Sequence, residues 1–236
     1  MVLNNAENLM FAGEEVDSVY CNRALVWQRK AEWLYRFEED GSARILAYLG
    51  LNSDLVVPSK IRGRRVKIVG YPSEERITVG GIMFTAASIK IPDSVEIIEE
   101  IAFAMSDMHT VVLGDGVTEI RKEAFYTSPQ LASVTFGANL TRIMDYAFAG
   151  SFDRNYTPTA PPVIDLMNTK LEHVGASAFQ RTGIGQIIFP PTLQTVGLNA
   201  LYACPRLSSI VAPASAEGLF TNQVIGSSPN AVVTYY

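Results

Sequence analysis

The sequence predicts a solenoid, in which short structural units of similar length stack along one axis. Two observations support this prediction. The dipeptide Ala-Phe returns at a nearly constant interval, and a short β-branched run, often closed by Pro or Gly, returns in step with it. Strands of three or four residues cannot fold alone, whereas stacked units share a continuous hydrophobic core.

The Ala-Phe dipeptide marks one position in each unit. Its copies are separated by 22, 23, 31 and 22 residues. They are Ala102-Phe103, Ala124-Phe125, Ala147-Phe148, Ala178-Phe179 and a degenerate fifth copy, Ala200-Leu201. We expect each Phe to stack on the Phe of the next coil, and each Ala to let the neighbouring backbone pass close to it.

Two further patterns complete the unit. The β-branched runs predict strands that begin at Ser88, Thr110, Ser133, Pro162, Gln186, Ser209 and Ala231. Between each strand and the next Ala-Phe lie two apolar residues three positions apart. These pairs are Val95/Ile98, Val117/Ile120, Leu140/Ile143, Leu171/Val174 and Leu193/Val196.

The segment "IKIPDSVEIIEEIAF" resembles the BspA-like leucine-rich repeat family, and "DGSARILAYLGLNSDLVVPSKIRGRRVKIVG" resembles that family's β-rich first units. The resemblance covers residues 34–236, with β-rich units at 34–80 and repeats at 88–236. It implies an α/β repeat fold: a right-handed solenoid with a parallel sheet on one side and short helices or irregular turns on the other. The Gly turn in "RGRR" would join two strands. The last unit lacks a full Ala-Phe copy, which indicates a C-terminal cap or an open edge that something else covers.

Residues 1–33 do not follow the repeat. The stretch "FAGEEVDSVYCNRALVWQRK" predicts a hairpin around an Asn-containing turn. Over about 17 residues it also resembles a small module of phage tail and fibre proteins, which implies an assembly anchor. The residues matching that module's motif are Gly13, Val16, Val19, Tyr20, Leu25, Val26 and Trp27. The alternative is a hairpin that only caps the solenoid.

Composition excludes several functions. The chain has 236 residues and a net charge of −5, which gives nucleic-acid binding little electrostatic support. The basic cluster around Gly63 is interpreted as a solvated turn. The longest uncharged run contains prolines and polar residues and is not a membrane span. The N-terminus lacks the charge and apolar pattern of an export signal, as expected for a phage protein assembled in the bacterial cytoplasm.

The sequence predicts no active site, metal site or cofactor. Cys21 and Cys204 lie too far apart in sequence to suggest a disulfide framework, and both are interpreted as free. His109 and His173 have no Cys, Asp or Ser partners at a recognisable motif spacing. The chain is therefore predicted not to be an enzyme.

A binding surface is predicted on the outer side of the strands. If the second and fourth residue of each strand point inward, the third points outward. The outward set is then Lys90, Val112, Thr135, Ile164, Ile188, Val211 and Val233. Five of these seven are aliphatic and would form a stripe roughly 25–30 Å long. The stripe indicates a partner or subunit interface, or only the β-propensity of Val, Ile and Thr.

A second candidate site is the insertion between Ala147 and Ala178, where the interval exceeds the preceding one by eight residues. Aromatic and charged side chains in a loop stiffened by three prolines suit recognition. The candidate contacts are Phe152, Asp153, Arg154 and Tyr156. A neutral insertion remains the alternative.

The C-terminal quarter is poor in charge. The last 55 positions hold two charged residues, Arg206 and Glu217, which indicates either an uncharged polar surface or a region covered by another chain. Together these features predict a non-enzymatic binding or assembly protein that forms a homo-oligomer or larger assembly, with a protein or surface glycan as partner. The predicted location is a phage or prophage virion, as a fibre, tip or surface decoration. The alternative is a bacterial cell-surface adhesin of the repeat family.

Overall fold

The computed structural model describes residues 10–12, 33–48, 50, 52–72, 86–152 and 160–236. Its elements follow in chain order: β1 Met10–Ala12, β2 Trp33–Phe37, β3 Ala43–Tyr48, β4 Asp54–Val56, β5 Lys60–Ile61, β6 Arg64–Val69, β7 Ser88–Ile91, β8 Ile97–Ile98, β9 Thr110–Leu113, β10 Glu119–Ile120, β11 Ser133–Thr135, β12 Arg142–Ile143, β13 Val163–Asp165, β14 His173–Val174, β15 Gln186–Ile188, β16 Thr195–Val196, β17 Ser209–Ala212, a 3₁₀ turn at Ala214–Ala216, α1 Asn222–Ile225 and β18 Val232–Tyr235.

The strands form a solenoid with sheets on two sides. On the side called here the short-strand side, β8, β10, β12, β14 and β16 add in parallel to β6 and β3, and β2 and β1 extend that sheet in the antiparallel sense. On the long-strand side lie two parallel four-stranded sheets, ordered β11-β9-β7-β4 and β13-β15-β17-β18. The predicted leucine-rich-repeat-like solenoid is therefore confirmed.

The predicted Gly turn also forms. Arg62 and Gly63 adopt φ of 50° and 79° and connect β5 to β6 as an antiparallel hairpin. Two successive left-handed residues are typical of the tight turns whose twist matches that of paired strands.

The predicted column of phenylalanines runs through the core. The ring centroids of Phe103 and Phe125 are 5.1 Å apart, those of Phe125 and Phe148 are 4.9 Å apart, and those of Phe148 and Phe179 are 5.2 Å apart. Leu201 is fully buried at the next equivalent position. The amide of each Phe donates to the carbonyl of the Ala in the following coil, as from Phe125 to Ala147 at 2.7 Å. The small Ala side chain thus allows the close backbone approach that the sequence predicted.

Turns, rather than helices, connect the two sides. The residue before each Ala of the repeated dipeptide has φ between 54° and 61°. A second left-handed residue follows two positions after each Phe or its Leu equivalent, for example Met105 with φ 56° and Gly150 with φ 73°. Left-handed residues end a helical path, so each Ala-Phe segment stays a turn. The helical segments of the described chain are α1 and the short 3₁₀ turn.

A buried ladder of small polar side chains lies three residues after each Phe. Ser128 Oγ donates to the carbonyl of Phe103 and Ser151 Oγ to the carbonyl of Phe125. Cys204 Sγ lies 3.1 Å from the carbonyl oxygen of Phe179, which accepts its hydrogen bond. Burial raises the pKa of the Cys204 thiol, which keeps it neutral and able to donate. Cys204 is thus a packed free cysteine, as predicted, but its place in this ladder was not foreseen from the sequence.

A buried ion-pair network fastens the β2–β3 hairpin to the repeats. Glu99 Oε1 accepts a hydrogen bond from Arg44 Nη1 at 2.8 Å, and Arg121 Nη1 donates to both Glu99 oxygens at 2.9 and 2.8 Å. Burial alone lowers the pKa of the Arg121 guanidinium, but the hydrogen bonds and charges of Glu99 and Glu119 outweigh burial and raise it. Arg44 also donates to the carbonyl of Gly70. A side chain at Gly70 would collide with Glu99, because an added Cβ would lie 2.6 Å from the Glu99 Cβ.

Candidate functional site

The two sides of the solenoid differ in charge. The short-strand side carries ion pairs between neighbouring coils, such as Lys67–Glu96 at 3.9 Å and Lys122–Glu100 at 3.9 Å. On the long-strand side, the outward positions of the eight strands carry Asp54, Lys90 and Asp165 as their charged residues. A partner that contacts the long-strand side therefore has few charges to desolvate.

The outward positions follow from the strand register. Val111, Val134, Ile187 and Ile210 are buried at the second position of their strands. Four predicted contact residues occupy the outward third position: Val112, Thr135, Ile188 and Val211. Thr135 is exposed, and the other three are half-buried between neighbouring strands.

The prediction for Ile164 is wrong. Ile164 is fully buried and pairs with the buried Ile187, whereas Val163 and Asp165 face outward. The predicted strand began one residue too early, at Pro162, and a one-residue shift moves every side chain to the other face. The sequence already argued against the predicted register, because that register would have buried the carboxylate of Asp165 in the core.

The prediction for Val233 is wrong for the same reason. Val233 pairs with the buried Ile210 and packs against the core, while Val232 is 62% exposed and Thr234 pairs with Val211 on the outer side. With both registers corrected, Asp165 and Thr234 replace Ile164 and Val233 in the outward row. The predicted continuous apolar stripe is therefore broken.

What remains is a mixed surface on the second long-strand sheet, called here the C-terminal face. It consists of the outward residues of four adjacent strands: Val163, Asp165, Gln186, Ile188, Ser209, Val211, Val232 and Thr234. Gln186 Nε2 donates to Ser209 Oγ at 3.1 Å, which ties two strands together across the face. At about 4.8 Å per strand the four strands span about 14 Å. Asp165 is the one charged residue among these eight.

Tyr236 borders the C-terminal face at the carboxyl ends of the strands. Its hydroxyl donates to the carbonyl of Phe189 at 3.0 Å and lies 3.5 Å from Met167 Sδ. Burial raises the pKa of the Tyr236 hydroxyl, so it remains a protonated donor at neutral pH. The aromatic side chain thus closes one end of the face.

The comparison with family models decides the family. A model of the BspA type leucine-rich repeat region matches six copies, over residues 83–157 and 163–224, which is more than half of the chain. The chain belongs to the BspA-type leucine-rich repeat family. No curated protein gives a significant match to its sequence.

Several solved structures resemble this chain to different degrees. A leucine-rich repeat protein of T. pallidum (TpLRR) is 22% identical, with a TM-score of 0.56 over 86% of this chain and 78% of that chain. A leucine-rich repeat protein of Bacteroides ovatus is 19% identical, with a TM-score of 0.42 over 86% and 70%. The pneumococcal vaccine antigen PcpA is 15% identical, with a TM-score of 0.37 over 80% and 70%. The likeness to the T. pallidum protein supports the solenoid fold.

Phe152 does not face a partner in this leucine-rich repeat solenoid. It was predicted as an exposed aromatic of the insertion, but it is 1% exposed, and its ring lies 6.0 Å from that of Phe148. A large apolar side chain next to the Phe column gains more from burial than from exposure. The described chain resumes at Ala160, shortly before β13. The other predicted contacts of the insertion, Asp153, Arg154 and Tyr156, lie outside the described residues.

The predicted front module also lies outside the described residues, apart from β1. This applies to its candidate anchor positions, Val16, Val19, Tyr20, Leu25, Val26 and Trp27. In the described ranges, no helix has the length and apolar character needed to cross a membrane. The same ranges hold no group of three His, Cys, Asp or Glu side chains suited to a metal ion.

His173 has neighbours that sequence spacing did not reveal. Its Nδ1 lies 2.9 Å from Thr195 Oγ1 in the next coil, and its Nε2 lies 3.7 Å from Glu172 Oε2. The three residues resemble a nucleophile, base and carboxylate set by type. However, the His173 side chain is 41% exposed on the short-strand side, on open sheet rather than in a cleft. We interpret the contacts as a surface link between coils.

Proposed function

We propose that this leucine-rich repeat protein is a non-enzymatic binding protein and that its C-terminal face contacts the partner. The observation that carries the proposal is the mixed composition of that face, where Asp165 is the one charged residue among the eight outward positions. Interface cores are depleted in charge relative to the remaining surface. Solenoids also present extended surfaces built from equivalent positions of successive units.

The shape of the face points to a macromolecular partner. Small-molecule sites are enclosed pockets, whereas the C-terminal face is an open sheet of four strands. Ile188 and Val211 lie side by side on paired strands and supply an aliphatic centre. Gln186 and Ser209 supply hydrogen-bonding groups next to it. A protein surface or a surface glycan offers the flat, mixed chemistry that complements this pattern.

Two biological settings follow for such a module. The first is a phage or prophage virion, in a fibre, tip or surface decoration, and its support is the similarity of residues 11–27 to a phage tail module. The second is a bacterial cell surface, and its support is membership of the BspA-type family. In either setting residues 1–33 act as the anchor or cap and the C-terminal face carries recognition.

Replacement of the aliphatic centre tests the proposed face. We expect the double variant Ile188→Asp plus Val211→Asp to lose at least about tenfold in affinity, because two charges would have to be desolvated against the partner. Binding is measured on an array of bacterial surface glycans and on immobilised bacterial envelope proteins. Thermal unfolding of the variant shows whether the solenoid remains intact.

A matched control places the same change on the other side. Met144 is 37% exposed and Gln194 is exposed, and both lie on the short-strand side. The variant Met144→Asp plus Gln194→Asp adds two negative charges and removes one apolar group, and it should bind like the original chain. Equal loss in both variants, or none in the Ile188/Val211 variant, would refute the proposed face.

A truncation beginning at Trp33 separates the two settings from the binding activity. In the virion setting, the shortened chain should fail to join phage particles during assembly yet still bind through its C-terminal face. If the shortened chain incorporates into particles as well as the full chain, the anchor role of residues 1–32 is wrong.

A further inference from the structure

Among the described strands, β18 has a paired neighbour on one edge only. In the described part of the chain β18 pairs with β17 on one side and closes the sheet order β13-β15-β17-β18. The amides of Val232 and Tyr236 donate to the carbonyls of Ser208 and Ala212 in the preceding coil. Because backbone groups alternate in direction along a strand, the N–H and C=O groups of Val233 and Tyr235 point away from β17. This edge therefore presents two donors and two acceptors.

The edge lacks the usual protection against pairing. Natural edge strands are blunted by charged residues, Pro, bulges or very short length. β4, which ends the other long-strand sheet, has three residues, carries Asp54 and is followed by Pro58. β18 has four residues, Val-Val-Thr-Tyr, with no charge or Pro and no register shift. β4 thus has the features that discourage strand addition, and β18 does not.

The charge distribution favours a second copy of this chain as the occupant. Two copies each carry a net charge of −5 and would repel one another through most orientations. The last 55 residues hold one Arg and one Glu as their charged side chains, so two copies that meet at β18 bring few charged side chains together. A foreign strand would need no such neutrality at its docking end.

We propose that two copies of the protein pair through β18 as an antiparallel, two-fold symmetric edge. In this arrangement Val233 of one copy exchanges both backbone hydrogen bonds with Tyr235 of the other, and the reverse, which makes four bonds. Thr234 then stands opposite its own symmetry mate on the outer face. The two C-terminal faces join into one eight-stranded surface, which doubles the area offered to a partner. The pairing itself does not depend on what that face binds.

Disulfide trapping tests this register directly. In a non-hydrogen-bonded antiparallel pair the opposing Cα atoms are about 4.5 Å apart, within the range that a disulfide spans. We expect Thr234→Cys, in a Cys21→Ser background, to cross-link rapidly and quantitatively with oxidised glutathione. Ser133→Cys is the matched control, since it is also an exposed, outward strand position but lies on the other long-strand sheet. It should cross-link slowly or not at all.

Solution mass supplies an independent readout on the unmodified edge. Light scattering of the full chain should show the average mass rising towards twice the monomer value as concentration increases. Tyr235→Pro removes an outward donor without removing a β17 bond, and should abolish the rise, whereas Tyr235→Thr keeps the donor and should retain it. A mass that stays monomeric, equal trapping at positions 133 and 234, or a dimer unaffected by Tyr235→Pro would each overturn the proposal.

Discussion

Replacing Glu99 by Ala is expected to lower the free energy of unfolding by about 3–5 kcal/mol. The Glu99 side chain is 2% exposed and holds two guanidinium groups, of which that of Arg44 is itself only 7% exposed. Without Glu99 the buried Arg44 keeps the carboxylate of Glu38, at 2.6 Å, but loses its other charge partner. Urea or guanidinium denaturation followed by circular dichroism measures the change.

A compensating variant separates burial of an unpaired charge from loss of packing. Replacing both ends of the pair by apolar residues of similar size, Glu99→Leu with Arg44→Met, leaves no charge buried there. Such exchanges are often neutral or stabilising, so the double variant should be clearly more stable than Glu99→Ala. If the double variant is as unstable as the single one, the ion pair is not the cause.

Replacing Phe148 by Ala is expected to cost a similar amount, about 3–5 kcal/mol. Phe148 is fully buried, stacks between Phe125 and Phe179, and meets the edge of Phe136 with centroids 6.0 Å apart. Truncation would leave a cavity in the middle of the column that neighbouring coils cannot close without breaking their backbone hydrogen bonds. Because coils contact only their neighbours, the loss should also lower hydrogen-exchange protection in the coils on both sides.

The natural variation within the column provides the control. Leu201 occupies the equivalent position of the fifth repeat and is fully buried there. Phe148→Leu should therefore cost less than half as much as Phe148→Ala in the same denaturation experiment. Equal losses would show that ring stacking, rather than filled volume, dominates the column, and tolerance of Ala would contradict its structural role.

The sequence motifs predicted the hydrophobic core because they recur from one repeat unit to the next. Ala147 and Phe148 have counterparts in four other coils, and the apolar pairs, such as Leu140 and Ile143, are buried as their spacing required. Each copy supports the interpretation of the others. The small polar residues three positions after Phe recur just as regularly, as Ser106, Ser128, Ser151, Thr182 and Cys204, so that ladder could have been found from the same alignment of coils.

The outer surface was harder to predict because the register of each strand decides which of its side chains face outward, and the other repeat units do not reveal that register. The strand before Leu166 follows an insertion, and the last strand has no following coil in this sequence, so Ile164 and Val233 were each placed one residue out of phase. Phe152 was misassigned because a loop aromatic can turn back into the core. The Glu99–Arg44 pair spans 55 positions and occurs once, so neither repetition nor local spacing indicates it.

The central claim is that the long-strand side, and not the charged short-strand side, meets the partner. Site-specific photo-cross-linking measures this most directly. A photoreactive phenylalanine analogue replaces Ile188 on the C-terminal face or Arg142 on the short-strand side, and each protein is irradiated with bacterial envelope material and with intact phage particles. Adducts from position 188 and none from position 142 are the predicted result. Adducts from position 142 alone would place the binding surface on the opposite side of the solenoid and contradict the account.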